Sequence, residues 1–255
     1  MGWRKALAPF KEAFVRYNEQ LLKIFLCQLI YTFPIFLFVS SGSILGIQYL
    51  GQENGTLLIL YVNVLGFWLS QIPFIYMVRN TENGLEITLQ DIFLSIKKNI
   101  TSVYIVGLLG AFCVTLGYHF FILPGLICLI LFMLFPQVSV MEGGRYRGIL
   151  KKALHIGSTH FLYLLNLILF FVMVDWWLLW AGKSLLSVSG SSYVEWIVVQ
   201  GLIQAGVLPY VTFVLSLFYA EKRHHFQSDS WQNPTSQHGG QTEAGVGQKP
   251  SCRNS

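Results

Sequence analysis

The sequence predicts an all-α protein that crosses a membrane six times. Composition, the length of the apolar stretches and the distribution of basic residues each support this prediction. Hydrophobic residues make up 54% of the 255 residues, charged residues make up 11%, and the mean hydropathy is +0.55. Soluble domains carry about 25% charged residues, because charge keeps their surface hydrated. A surface of ordinary charge density cannot be built from this composition, so a soluble globular enzyme is excluded.

Six apolar stretches are each long enough to cross the hydrocarbon core of a bilayer, which takes about 20 helical residues. They lie near 24–47, 56–78, 100–118, 120–141, 160–181 and 194–219. Only a short turn separates the third from the fourth, so we expect a tight helical hairpin there. Residues 1–23 then form an N-terminal segment and 24–220 the transmembrane domain. Residues 221–255 form a polar tail, most of it without an apolar period, which we expect to be disordered.

The basic residues predict the orientation. All lysines and arginines except Lys183 fall in 1–23, in the loops after the second and fourth spans, or in the tail. Because cytoplasmic loops carry the excess of Lys and Arg, both termini are predicted to face the cytoplasm. We therefore expect a multi-pass protein of the cytoplasmic (inner) membrane. The net charge of +5 reflects this topology and contact with anionic lipid headgroups, and no nucleic-acid partner is expected.

Each of the two long cytoplasmic loops carries the pattern of an amphipathic helix. In the first, Thr88 and Asp91 form a capping box, and apolar residues follow at helical spacing: Leu89, Ile92, Phe93, Ile96 and Ile100. In the second, residues 146–155 have one apolar face and one basic face. The membrane-surface residues are predicted to be Arg145, Arg147, Lys151 and Lys152. This second helix either lies in the headgroup layer of an anionic bilayer or packs on the cytoplasmic end of the bundle.

Catalytic and metal-binding motifs are missing from the sequence. Gly182-Lys183-Ser184 ends like a phosphate-binding loop, but Trp177 stands where such a loop needs its first glycine. The six histidines do not pair with carboxylates at ligand spacing on one helix, and the four cysteines show no paired spacing. We therefore expect no catalytic residue, no cofactor and no metal, and we do not expect an enzyme.

Several residues inside the spans are unusual for a purely apolar helix. Five prolines are expected to kink their helices: Pro34, Pro73, Pro124, Pro136 and Pro209. The candidate intramembrane polar residues are Asn63, Asp175, Gln200 and Gln204. They form either interhelical hydrogen bonds or a polar pathway. For Asp175 the alternatives are a proton or cation relay and a position at the interface, beside an aromatic belt formed by the tryptophans that follow. The Gly42-x-x-x-Gly46 pair allows close helix approach, either inside the bundle or in a dimer.

The stretch from 119 to 161 contains Pro124-Gly125 at the start of the fourth span, Pro136 near its end, the acidic turn residue Glu142, and then the basic amphipathic helix. This arrangement resembles the bacterial six-span membrane proteins of the YciC/UPF0259-like group, and the membrane domain found with some glycerophosphodiester phosphodiesterases. Ala153 and Leu154 replace the Ser and Trp of that pattern. The resemblance implies a multi-pass membrane protein of largely unassigned role. The tail is too short for the phosphodiesterase domain, so that activity is not expected.

These observations predict a non-catalytic integral membrane protein that acts as a scaffold or as a partner-binding subunit. Its expected partners are the lipid bilayer and either a second membrane protein or a second copy of this chain. The alternative is a transporter or lipid-handling permease, which the kinked spans and the intramembrane amides suggest. A membrane enzyme ranks third, because no acid–base or nucleophile grouping can be identified.

Overall fold

The computed structural model describes the backbone of residues 3–144, 146–189 and 193–232, and the side chains of residues 10–42, 45–144, 146–184, 199, 201 and 203–223. These residues form ten α-helices, one π-helical turn and no strand. The helices are α1 (Trp3–Glu19), α2 (Leu21–Cys27), α3 (Phe33–Ser70), α4 (Ile72–Glu82), α5 (Leu89–Phe120), α6 (Ile122–Phe132), α7 (Phe135–Glu142), α8 (Tyr146–Thr159), α9 (Phe161–Ser189) and α10 (Tyr193–Gln232). The π-helical turn is Gln28–Thr32, between α2 and α3.

Six segments of the described residues are long and apolar enough to cross a membrane. In chain order, spans 1 to 6 are Leu21–Gly42, Leu45–Glu82, Leu89–Phe120, Ile122–Glu142, Phe161–Ser184 and Ile203–Arg223. The predicted all-α architecture with six transmembrane helices is therefore confirmed, and the chain is a multi-pass integral membrane protein. The core lies along the even-numbered spans. Within an apolar 18-residue stretch of each span, between 50% and 61% of the residues are buried in spans 2, 4 and 6, against 22% to 33% in spans 1, 3 and 5.

The amphipathic helix predicted in the first loop is part of span 3. The capping box is present, because the backbone N–H of Asp91 donates to the Thr88 hydroxyl and the Asp91 carboxylate accepts from the Thr88 backbone. From Leu89 the helix continues without a break to Phe120. Neither glycine nor proline occurs between 89 and 106, so nothing in this part of the sequence ends the helix before the membrane.

Close backbone contacts join consecutive spans in two hairpins. The first hairpin turns at Gly51, the one non-helical residue inside α3, which lies near the beginning of the segment Leu45–Glu82 and whose φ of 78° favours glycine. A Cβ atom on Gly55 would lie 2.8 Å from the Cα atom of Ile47, so Gly46, beside Ile47, lies in a contact within this hairpin, whereas Gly42 faces open space. Spans 3 and 4 approach in the same way, since a Cβ atom on Gly125 would lie 2.7 Å from the backbone nitrogen of Tyr118.

The N-terminal segment contains a helix that the sequence reading did not predict. Helix α1 packs on spans 5 and 6 with Ala13 fully buried. The ring of Phe10 lies 5.8 Å from that of Phe170, and the ring of Tyr17 lies 6.1 Å from that of Phe213. The signal that could have revealed this helix is the spacing of Phe10, Ala13 and Tyr17, which places them on one helical face.

The chain divides into two compact units, Met1–Tyr219 and Ala220–Ser255. In the second unit, helix α10 continues to Gln232, so residues 221–232 of the predicted disordered tail are helical in the structure. The Lys222 ammonium pairs with Glu221 at 3.1 Å. The remainder of the predicted tail, residues 233–255, lies outside the described residues.

Candidate functional site

In spans 1, 2 and 4 a proline stands at the start of a new helix. Pro34, Pro73 and Pro136 are each the second residue of a new helix, α3, α4 and α7. The first turn of a helix has no intrahelical acceptor for its N–H groups, so proline is tolerated there. Pro209, in contrast, lies inside α10, which continues past it. Each even-numbered span therefore contains a proline within its buried part.

Span 1 supplies hydrogen bonds at two of these prolines. Pro73 has no N–H to donate to the carbonyl four residues earlier, and the Tyr31 hydroxyl donates to that carbonyl, Leu69 O, at 3.1 Å. Pro209 likewise leaves the carbonyl of Ala205 without its usual donor, and the Gln28 side chain donates to it at 2.7 Å. Gln28 is only 6% exposed and belongs to the π-helical turn. Polar side chains of span 1 therefore satisfy backbone groups in spans 2 and 6, as a membrane interior requires.

Two buried glutamines join the breaks in spans 2 and 4. Gln71 separates α3 from α4, and Gln137 directly follows Pro136 in α7. The Gln137 Nε2 atom donates to Gln71 Oε1 at 3.0 Å, and both side chains are 0% exposed. We call these two residues the amide pair. The indole of Trp68 lies next to the break in span 4, with its ring 4.9 Å from that of Phe135.

The inner spans hold several buried polar atoms without a hydrogen-bond partner among the described residues. They are Trp68 Nε1, Gln71 Nε2, Gln137 Oε1, Ser139 Oγ and Ser216 Oγ. An unsatisfied buried donor or acceptor costs about 1–3 kcal/mol. These atoms are neutral amide, indole and hydroxyl groups, so they can bind water or a neutral polar solute, but they supply no general acid, general base or charged nucleophile.

A second polar cluster lies at the end of span 4, and we call it the Glu142 junction: Glu142, Lys152 and Tyr219. The Lys152 ammonium lies 2.6 and 2.7 Å from the two carboxylate oxygens of Glu142, and the Tyr219 hydroxyl donates to the same carboxylate. Nearby on the same helix, Val140 O accepts a hydrogen bond of 2.9 Å from Arg79 of span 2. These contacts tie the end of span 4 to spans 2 and 6 and to α8.

The predicted motif residues of span 4 therefore have identifiable positions. Gly125 makes the close approach to span 3, Pro136 lies at the break beside Gln137, and Glu142 lies in the junction. Pro124 falls in the first turn of α6, where its missing N–H is not needed.

The predicted membrane-surface residues divide into two groups. Arg147 and Lys151 are exposed, whereas Lys152 pairs with Glu142, and Arg145 lies outside the described residues. The apolar face of α8, with Ile149, Ala153 and Ile156, is buried in the bundle. Gly157 is so close to span 4 that a Cβ atom on it would lie 3.1 Å from Leu131 O. Of the two interpretations of this helix, the structure therefore favours packing on the bundle.

The polar residues selected from the sequence do not lie in the amide pair. Asn63 is exposed and donates to the carbonyl of Ile59 in its own helix at 2.8 Å. Asp175 and Gln204 are partly exposed, and the Gln200 side chain lies outside the described residues. Sequence reasoning instead missed Gln28, Gln71 and Gln137. The available signal was a glutamine within two residues of a proline in an apolar span, at Gln71-Ile72-Pro73 and Pro136-Gln137.

Span 5 carries an amide on its exposed face. Asn166 is exposed, and its Nδ2 atom donates to the carbonyl of Leu162 at 2.8 Å. Large apolar side chains continue this face along the helix: Leu162, Leu169, Met173, Trp176 and Trp180. The opposite face, with Leu164, Leu167 and Phe171, is buried in the bundle.

The structure contains no cluster of three or more His, Cys, Asp or Glu side chains that could hold a metal ion within the searched, described part of the chain. Comparison of the chain with family models, with curated proteins and with solved structures finds no match. The resemblance to the YciC/UPF0259-like group therefore stays a prediction from the motif residues.

Proposed function

We propose that this chain is a multi-pass membrane subunit without catalytic chemistry, and that it binds a second membrane protein through the exposed face of span 5. The observation that carries the proposal is the exposed amide of Asn166 on an otherwise apolar transmembrane face. The polar groups of the inner spans support the same interpretation, because their hydrogen bonds join helices to each other.

The exposed face of span 5 has the spacing of a helix–helix seam. Leu162, Asn166, Leu169, Met173, Trp176 and Trp180 follow one another at alternating intervals of four and three residues. This 3.5-residue period keeps one stripe of a helix against a partner helix. Only 22% of the residues in the apolar 18-residue stretch of span 5 are buried in the bundle, so a partner helix could cover this stripe without disturbing the core.

Asn166 supplies the specificity that apolar side chains lack in a membrane. Lipid tails are as apolar as leucine, so an apolar stripe alone gives no strong preference for protein over lipid. An asparagine amide has two N–H donors and one carbonyl acceptor, and only one donor is used in the bond to Leu162. Interhelical hydrogen bonds of this kind contribute about 0.6–2 kcal/mol.

We further propose that the protein lies in the cytoplasmic membrane with both termini in the cytoplasm. The support is the distribution of lysine and arginine along the chain, with Lys183, near the end of span 5, as the single Lys or Arg on the predicted outer side.

Site-specific photocrosslinking in the native membrane tests the partner proposal. We expect p-benzoylphenylalanine at Leu169 or Met173 to give an adduct of defined mass, and Asn166→Leu to weaken it several-fold. A matched control is the same probe at Phe38, which is 75% exposed on span 1. The mass of the adduct distinguishes a second copy of this chain from another protein. Equal labelling from all three positions would contradict the proposal.

A second candidate function is a permease for a small neutral polar solute, and the amide pair favours it. Discontinuous transmembrane helices often form substrate sites where their broken ends meet. Here the breaks of spans 2 and 4 meet at Gln71 and Gln137, each with one buried polar atom that has no partner within the described part of the chain.

Osmotic swelling of proteoliposomes in glycerol and urea separates the two functions. If the protein is a permease, we expect solute entry that is lost in the double variant Gln71→Leu/Gln137→Leu and retained in Asn166→Leu. A partner-binding subunit predicts swelling equal to that of protein-free liposomes, together with Asn166-dependent crosslinks in the membrane.

A further inference from the structure

An open groove runs between span 2, span 3 and the beginning of α8. Its volume is about 590 Å³. Ile105, Leu109 and Phe112 of span 3 line it, together with Tyr61 of span 2. Tyr146, Arg147 and Leu150 of α8 complete the lining. The groove is separate from the amide pair and from the exposed face of span 5.

The walls of the groove match a hydrocarbon chain. Ile105 is 46% exposed, Leu109 is 53% exposed and Phe112 is 57% exposed, so the bundle leaves much of their surface uncovered. Since these residues belong to a transmembrane helix, the material beside them is lipid. Apolar walls accept any acyl chain without preference, because lipid tails and leucine side chains are equally apolar. Selection of one lipid class therefore depends on the charged residue in the lining, Arg147.

Arg147 brings a positive charge to the lining of the groove. The Arg147 side chain is exposed and has no carboxylate partner among the described residues. Glu142, the acidic residue that ends span 4, is already engaged by Lys152 and Tyr219. Lys151 is exposed one helical turn from Arg147 and adds a second positive charge to this end of α8. A guanidinium group matches a phosphate group because it can donate two parallel hydrogen bonds to it.

We propose that this groove binds one anionic phospholipid, with an acyl chain along Ile105, Leu109 and Phe112 and the phosphate on Arg147. The site does not depend on the proposed function, since neither the exposed face of span 5 nor the amide pair lines the groove. The lipid would fill the space between span 3 and α8 and so join an outer span to the helix that leads into span 5.

Native mass spectrometry of the full chain in neutral detergent tests this site. Phosphatidylglycerol and phosphatidylcholine with identical acyl chains are offered in equal amounts, and we expect one retained phosphatidylglycerol per chain. Arg147→Gln should lower the preference for phosphatidylglycerol about fivefold, the factor that corresponds to about 1 kcal/mol for one basic residue near an anionic headgroup. Lys183→Gln, which removes an exposed cation of span 5, is the matched control and should leave the preference unchanged.

A second variant tests the acyl-chain part of the groove without changing charge. Leu109→Trp fills the groove and should reduce retention of both lipids, while Arg147→Gln reduces only the preference between them. Circular dichroism and gel filtration verify that each variant is folded. Unchanged lipid selection in Arg147→Gln, or unchanged retention in Leu109→Trp, would overturn the proposal. Crosslinks from Leu109 to a second protein helix in place of lipid would also overturn it.

Discussion

Gln28 and Tyr31 of span 1 each donate a hydrogen bond to a carbonyl that a proline leaves without its usual donor. In water such a carbonyl would be solvated, so either side chain could be replaced with little effect. Inside a membrane no water is present to donate a hydrogen bond to this carbonyl, so the backbone group needs a protein donor. Tyr31 therefore compensates for the missing N–H of Pro73, and Gln28 for that of Pro209. These partners are 42 and 181 positions apart in the sequence.

The pairing of Gln28 with Pro209 predicts a specific energetic coupling. Gln28→Leu removes the donor to Ala205 O and should lower the free energy of unfolding by about 0.6–2 kcal/mol. In a Pro209→Ala background the backbone N–H of residue 209 is restored, so the same substitution should cost much less. A double-mutant cycle of unfolding free energy in mixed micelles measures the difference. Equal costs in both backgrounds would show that Gln28 does not serve this carbonyl.

The amide pair predicts a different pattern. Gln71→Leu or Gln137→Leu alone leaves the other amide buried without its partner and should cost about 1–3 kcal/mol of stability. The double substitution removes both polar groups, so its cost should be clearly less than the sum of the two. Asn63→Leu is the control, because Asn63 is exposed and bonds only within its own helix. Strictly additive losses would contradict a direct interaction.

At the scale of the helices, glycine positions determine how closely consecutive spans pack. A Cβ atom on Gly125 would lie 2.7 Å from the backbone of Tyr118, a separation that side chains do not tolerate. Gly117 faces the same contact from span 3, so the hairpin between spans 3 and 4 depends on both glycines. Gly148 in α8 has open space around it and makes no such contact.

Gly125→Val should therefore separate spans 3 and 4 and lower the melting temperature of the detergent-solubilised protein by several degrees. The physical reason is overpacking, which typically costs about 1–3 kcal/mol. Gly148→Ala should leave the melting temperature unchanged or raise it, because alanine favours helix where nothing is crowded. If Gly125→Val lowered the melting temperature no more than Gly148→Ala does, the hairpin would not be closely packed.

The same helices show which features a sequence reading can predict. The six spans were predictable because hydropathy adds up over about 20 residues and does not depend on neighbouring helices. Whether a proline breaks its helix was not predictable from the sequence, since Pro136 starts a new helix whereas Pro209 lies inside one. The amide pair was also missed, because its two members are 66 residues apart and only packing brings them together. Helix α1 was detectable from the spacing of Phe10, Ala13 and Tyr17, which places them on one helical face.

At the scale of the whole molecule, the bundle has an inner and an outer set of helices. Spans 2, 4 and 6 carry the prolines of the core, the amide pair and most of the large buried side chains, such as Trp68, Phe135 and Phe213. Spans 1, 3 and 5 cover them and have a smaller share of buried residues. The proposed contacts with other molecules, the lipid groove of span 3 and the partner face of span 5, therefore lie on the outer helices.

Both proposals require that the chain cross the membrane six times with the two ends on the same side. Accessibility of single cysteines to a membrane-impermeant maleimide in intact cells measures this directly, after the native cysteines are replaced by serine. We expect labelling of Gln52→Cys and Val188→Cys from outside, and labelling of Gln90→Cys and Ser230→Cys only after the cells are opened. Protection of position 188 in intact cells would contradict the six-span arrangement.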